Sequence, residues 1–419
     1  MMSDRIKRFT TLLALILVLG ISVTAESLPK AKPEKVGLSS ERLERISELF
    51  QDFVAQQQLA GAVALVARQG KVAFFKAWGR MDLADDVSMR KDTIFRIASM
   101  TKPITSTAIM ILHEEGRLFL NQPVSRYIPE LAVGLQVYTG MLGDRAQYAD
   151  QNRPISIRHL LTHTSGLTYG IFGDTPVDRA YNEARVLSPD LDGMVKKLAG
   201  LPLLFQPGDR WNYSVSTDVL GKLIENVSGM TLDEFFEKRI FRPLGMKDSG
   251  FHIAEGKIGR AATIYKPNDT RDELEVSINT RKNPFITRRP KMLSGGGGLY
   301  STAMDYLRFC QMFLNGGELQ GARLLSPKTV QLMSRNHVGD LYTQKGYGYG
   351  LGFAVHMNQG ESGLIESQGT LRWGGFFNTT FFIDPEEELI AIAMSQLSPH
   401  THLNMTARFK LLVYQSLIE

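Results

Sequence analysis

Ser99-Met100-Thr101-Lys102 places a hydroxyl and an amine three residues apart, on one face of a helix and about one turn from each other. That pairing supplies a nucleophile and a proton acceptor without a histidine. Lys102 acts as a base only when it is neutral part of the time. Bringing its pKa from about 10.4 to about 7 costs roughly 4 kcal/mol of differential interaction. Burial and the positive N-terminal end of its own helix supply much of that cost. Alternatively, a phenol held against the ammonium shares the proton. Tyr213, in Trp211-Asn212-Tyr213-Ser214-Val215, is the candidate phenol. It follows the turn signal Gln206-Pro207-Gly208-Asp209 and precedes a helix capped by Ser216 or Thr217, which puts it on a loop facing a cleft. The third candidate is Trp373-Gly374-Gly375-Phe376, where two glycines let a substrate approach the backbone closely. The N–H groups of Ser99 and Phe376 would then form an oxyanion hole, worth roughly 3 to 4 kcal/mol per donor in a transition state. Each motif also has an ordinary reading. Ser27-Leu28-Pro29-Lys30 repeats the Ser-x-x-Lys spacing near the N-terminus, Tyr213 suits a surface aromatic, and the glycine pair suits a β-bulge.

These residues need a scaffold. Ile104, Ala108, Ile111 and Leu112 continue the Ser99 segment as a helix with a buried stripe, and Gly116 stops it. Leu43, Ile46, Leu49, Phe50 and Phe53 predict a helix over 40–57 capped by Ser39 or Ser40. Ala62 to Ala67, a Gln69-Gly70 turn and Val72 to Trp78 predict a hairpin. Residues 117–290 read as helical segments and long polar loops, including Ile157 to Leu161 and Asp218 to Val227. The run Ser294 to Gly298 breaks the chain beside the cleft. A helix capped by Ser301 or Thr302 follows, then strands at Phe381 to Ile383 and Leu389 to Ala393, then an amphipathic helix over Leu403 to Leu417. The expected architecture is an α/β (α+β type) sheet domain built from 26–116 and 291–419, with 117–290 as a mainly helical domain.

The remaining features bound the function. Arg5, Lys7 and Arg8, the apolar run Leu12 to Ile21 and Val23-Thr24-Ala25 read as a signal peptide over residues 1–25, predicting a periplasmic or secreted protein with no stable membrane span. The 48 basic and 43 acidic residues leave a net charge of +5, too mild to suggest a nucleic-acid partner. The lone Cys310 excludes an intramolecular disulfide and reads as core packing. His159 and His163 stand at i,i+4 but lack the Glu of a zinc-protease helix, so a polar-core reading is preferred and neither metal nor cofactor is expected. A Gly-x-Ser-x-Gly elbow is absent from the sequence, and the glycine run lacks the Lys-Ser/Thr of a phosphate loop.

Taken in order, Ser99-x-x-Lys102, Tyr213-Ser214-Val215 and Trp373-Gly374-Gly375 resemble the serine β-lactamase and penicillin-binding-protein superfamily. The similarity is greatest to class C β-lactamases and family VIII carboxylesterases. Leu160 to Leu167, Glu115 to Leu118, Ser294 to Leu299 and Gly346 to Gly348 extend the resemblance over about 33–415. It implies a mostly antiparallel sheet flanked by helices, a helical domain beside it, and a cleft between them. It also implies Ser99 as the acylated nucleophile, Lys102 and Tyr213 as the proton-handling pair, and Ser99 and Phe376 N–H as oxyanion donors. Val215 stands where those lactamases carry an Asn that contacts the substrate amide, and Trp373 where they carry a Lys. Trp373, Gly374, Gly375 and Val215 are therefore the candidate substrate-binding residues, suited to a neutral acyl ester. The expected activity is that of an exported serine hydrolase cleaving short-chain carboxylic esters, acting on a small-molecule ester or amide. The alternatives are a β-lactamase or D-amino-acid peptidase, an acyltransferase, and an acylated sensor without turnover. The Val133 to Pro154 and Tyr169 to Asp192 loops are expected to line the cleft. The residues do not speak to oligomeric state.

Overall fold

The computed structural model describes residues 28–418. The segment 1–25, expected to be a signal peptide, lies outside the described residues. Helix α1 (Ser40–Ala55) starts at an extended Ser39 whose hydroxyl accepts from Arg42 N–H, the arrangement that satisfies an orphan donor at a helix start. It leads into the hairpin β1 (Gly61–Arg68) and β2 (Lys71–Asp82), with a short β3 (Val87–Ser88) beside β2. The chain returns to the sheet much later as β4 (Tyr347–Tyr349), β5 (Ala354–His356), β6 (Leu371–Gly375), β7 (Thr379–Asp384) and β8 (Leu389–Met394). The result is one eight-stranded antiparallel sheet in the order β4-β5-β6-β7-β8-β1-β2-β3.

Both faces of its centre are covered, and the period-2 alternation of a strand divides the side chains between them. Ala62, Ala64 and Val66 of β1, with Ala391 and Ala393 of β8, pack under α1 and the C-terminal helix Met405–Tyr414. Val63 and Leu65, with Ile390, Ile392 and Met394, face the opposite core. That second core includes helix α2 (Thr101–Glu114), helix α3 (Ser216–Ser228) and helix α4 (Ala303–Leu314). Helix α4 is capped by Thr302 and buries Cys310. Helix α3 begins behind Val215, and neither Ser216 nor Thr217 caps it, because both lie within its first turn.

Residues 117–290 carry the shorter helices Ile157–Leu161, Pro176–Ala184 and Leu191–Leu198 as well as α3. They also carry two hairpins that the helical reading omitted, Gln136–Leu142 with Arg145–Asp150 and Ile264–Pro267 with Leu274–Ile278. The second hairpin leans on the sheet, where Tyr265 N–H donates to Gln396 O at 2.9 Å and its ring joins the outer core. Among the described residues, no helix is long and apolar enough to cross a membrane.

Phe50 ties the outer layer together. Its ring stacks on Trp78 at 4.9 Å and meets Phe409 of the C-terminal helix at 6.1 Å. Because Phe50 is fully buried, Phe50→Ala should cost about 3 to 5 kcal/mol in guanidinium unfolding. A loss under about 1 kcal/mol would show that this layer does not brace the sheet.

Candidate active site

Ser99 sits in a single 3-10 turn, Ala98–Met100, that runs directly into α2. The turn is pinned from below. Met100 and Ile104 are fully buried, Tyr306 Oη donates to Met100 O at 2.9 Å, and Leu299 N–H donates to Thr101 Oγ1 at 3.2 Å. Ala98 takes φ of 44°, a left-handed conformation that a non-glycine residue adopts at a cost, of the kind found where a tertiary structure over-determines the backbone.

Lys102 lies one turn on and is almost wholly buried. Its ammonium donates to Ser99 Oγ at 3.3 Å, Tyr169 Oη at 2.9 Å and Gly296 O at 2.7 Å. All three acceptors are neutral, and among the described residues no carboxylate forms an ion pair with it. The Tyr213 phenol donates to Ser99 Oγ at 2.7 Å, while its ring centroid lies 4.4 Å from Lys102 Nζ. Hydroxyl, amine and phenol thus converge from segments 114 residues apart.

Tyr213 is held by neighbouring rings. His163, Trp211, Tyr169 and Trp373 all lie within 6.2 Å of it, centroid to centroid. His163 is buried and hydrogen-bonded to Ser214 Oγ at 3.2 Å. Burial first, and Lys102 second, hold its imidazole well below the usual histidine range, so it packs as a neutral ring. His159 instead takes part in the capping box with Ser156. The two histidines share a helical spacing and nothing else.

Two participants were not singled out from the sequence: Tyr169 and Asp218. Asp218 lies in the first turn of α3 and is fully buried. It accepts from Ser294 Oγ at 2.5 Å and from Gly296 N–H at 3.0 Å through Oδ1, and it interacts with the Tyr169 hydroxyl. Burial pushes its carboxyl up and Lys102 opposes that shift. Tyr169, raised by burial and then by Asp218, stands between the ammonium and this carboxyl. Gly296 is where they meet. A Cβ there would lie 2.5 Å from Asp218 Oδ2 and 2.7 Å from Tyr169 Oη, so only glycine lets its backbone bond both Lys102 and Asp218. The sequence held a weak signal: Asp218 follows Tyr213 by five residues, at a spot where any helix favours an acid.

The Trp373 segment closes the other side. Gly375 of β6 presses on the Ser99 turn, since a Cβ there would lie 2.4 Å from Ile97 O. Its glycine therefore serves an approach between two parts of this chain, where the sequence suggested an approach by substrate. Gly374 lies beside it in β6, and a Cβ there would sit 3.2 Å from Thr379 O. Ser99 and Phe376 then open into a common cavity of about 520 Å³. Trp373 packs edge-on against Tyr349 and alongside Tyr213, forming the wall behind the phenol. Val215, expected to face substrate, is fully buried at the start of α3 and does not line the cavity.

The cavity walls are Tyr169, Ile171, Phe172 and Leu187 from one loop, and Phe285, Ile286 and Met292 from another. The expectation of two lining loops holds for 169–192 only. The 133–154 segment forms its hairpin against Leu201 and Pro202 instead, leaving the place to residues 285–292. Arg96 and Arg288 also line the cavity, whereas position 373 carries an indole.

Comparison with known proteins places the chain in a family. Residues 46–415 match the family described as Beta-lactamase. The chain is similar to esterase EstB of Burkholderia gladioli, with 34% identity over 361 residues that cover 81% of this chain and 86% of EstB. It is also similar to lovastatin esterase of Penicillium rubens, with 30% identity over 377 residues covering 83% and 91%. Among solved structures, "EstCE1, a hydrolase with promiscuous acyltransferase activity" matches with a TM-score of 0.77 and 28% identity, over 90% of this chain and 99% of its own. The chain belongs to the β-lactamase family of serine hydrolases.

Proposed function

We propose that this protein is an exported carboxylesterase that works through a Ser99 acyl-enzyme. The observation that carries the reading is Ser99 Oγ held 2.7 Å from the Tyr213 phenol and 3.3 Å from the Lys102 amine, at the mouth of an apolar cavity. Lys102 and Tyr213 handle the proton as a pair, with Lys102 Nζ 4.4 Å from the Tyr213 ring centroid and Tyr213 Oη bonded to Ser99 Oγ. As Ser99 Oγ bonds the ester carbonyl carbon, its proton passes to Tyr213. The carbonyl oxygen becomes an oxyanion that the Ser99 and Phe376 N–H groups receive. Collapse of that intermediate breaks the ester C–O bond, and Tyr213 returns its proton to the departing alkoxide. Water then repeats the sequence, releasing the acid and restoring Ser99. Ester-cleaving relatives such as EstB and lovastatin esterase support this reading.

The cavity refines the substrate class. Its aromatic and aliphatic walls and its volume of about 520 Å³ suit a longer apolar acyl group than the short one expected from sequence. One observation favours a second reading. Arg96 and Arg288 form no ion pair with a carboxylate among the described residues, and either offers an anchor for the carboxylate of a β-lactam.

Variants, a substrate series and cell fractionation test the proposal. Ser99→Ala should abolish turnover of aryl esters and labelling by a fluorophosphonate, and retained turnover would refute the acyl-enzyme. Tyr213→Phe should lower kcat by about 10² to 10⁴, the range for a lost general base. Tyr169→Phe leaves one Lys102 N–H without its acceptor, a cost of about 1 to 3 kcal/mol. It should therefore lower kcat roughly 5- to 150-fold and shift the pH profile. In a chain-length series, kcat/KM should rise with each methylene by at most about fourfold, the value of about 0.8 kcal/mol per buried CH₂. Faster turnover of a cephalosporin than of every ester would favour the lactamase reading. Export is checked by fractionating cells that express the full chain, where a processed N-terminus near Glu26 is expected.

A further inference from the structure

Strand β6 alternates its side chains. Trp373 packs against Tyr213 on the catalytic side, while its neighbour Arg372 enters a separate cavity of about 230 Å³. That cavity is too small for a drug-sized ligand, which needs roughly 300 Å³ or more. Arg372 and Lys410 both line it. Lys410 is buried and gives its charge to Glu366, 2.9 Å from both carboxylate oxygens. Glu366 is fully buried behind it and is the only carboxylate paired with Lys410 among the described residues. Arg372 has no such partner. Its Nη2 donates to Gln344 Oε1 at 2.5 Å, its guanidinium lies over the Tyr347 ring at 4.1 Å, and its buried Nε has no hydrogen-bond partner. Two cations and one carboxylate leave an excess positive charge beside a hollow. Burial first, and Arg372 second, pull the Lys410 ammonium down to about 8, which agrees with that excess.

The rim has the opposite character. Leu364, Ile365 and Leu411 all line the cavity and are 36%, 50% and 55% exposed. Apolar side chains left in water around a cationic floor match a ligand that is charged at one end and greasy at the other. We propose that this cavity binds a monocarboxylate with a short alkyl chain, its carboxylate on Arg372 and its chain against Leu364, Ile365 and Leu411. The site is distinct from the catalytic cavity and does not depend on the hydrolase reading.

The test is calorimetric titration of the full protein with octanoate, octanol and acetate, before and after Ser99 is blocked with a fluorophosphonate. Octanoate should bind saturably to the blocked protein, with acetate and octanol each about tenfold weaker or worse. Arg372→Gln should weaken octanoate about tenfold or more, the loss of a charge-assisted hydrogen bond. Leu411→Glu places a like charge at the exposed rim, where folding is not at stake, and should do the same. Octanol binding as tightly as octanoate, unchanged affinity in both variants, or binding that vanishes on blocking Ser99 would each overturn the site. Failure of the reagent to label Ser99 would count against the hydrolase reading alone. The titration of unblocked protein and of the two variants would then still decide this proposal.

Discussion

A buried lysine with no carboxylate in direct ion-pair contact is the constraint around which this molecule is built. Taking that charge out of water is costly unless each of its donors finds an acceptor. Lys102 meets the requirement with Ser99, Tyr169 and the carbonyl of Gly296, drawn from three distant parts of the chain. Satisfying the lysine therefore means assembling the site. Any displacement of the glycine run, the Tyr169 loop or the Ser99 turn strands a donor in a low-dielectric pocket, so the same interaction that stabilises the centre also positions it.

The scaffold supplies the stiffness this needs. The central strands are covered on both faces, so the sheet presents the end of β6 as a fixed edge. Contact between Gly375 and Ile97 then sets the distance from that edge to the Ser99 turn. At Gly296 a backbone is squeezed between a carboxyl and a phenol. Both glycines are required by the approach of the protein to itself. In each case the absent side chain is what permits two elements of the site to touch.

Electrostatics and hydrophobicity are divided between the floor and the walls. Below Ser99, Lys102, Tyr169, Asp218 and Ser294 form a buried polar network. Above it, the walls are mostly aliphatic and aromatic. Such a site sets a polar floor against walls that match apolar groups. Burial of Lys102 and Asp218 strengthens the charge–dipole interactions at the floor.

The sequence by itself determined the elements and the motif. The Ser-x-x-Lys spacing, the helical stripe behind it, the hairpin at 62–78 and the strands at 381–383 and 389–393 all rest on local periodicity, and local periodicity is what a chain states in order. It also placed Tyr213 at a helix entrance. What it left open was any choice made between segments. Asp218 reads as an ordinary first-turn acid until Ser294 and Gly296 fold onto it. Val215 reads as a cleft residue until the first turn of α3 carries it into the core. Residues 285–292 carry no local signal of their place at the cavity wall, which the expectation gave to the 133–154 segment. Burial, orphaned charge and close backbone approach are properties of pairs of segments, and only the tertiary structure decides which segments meet.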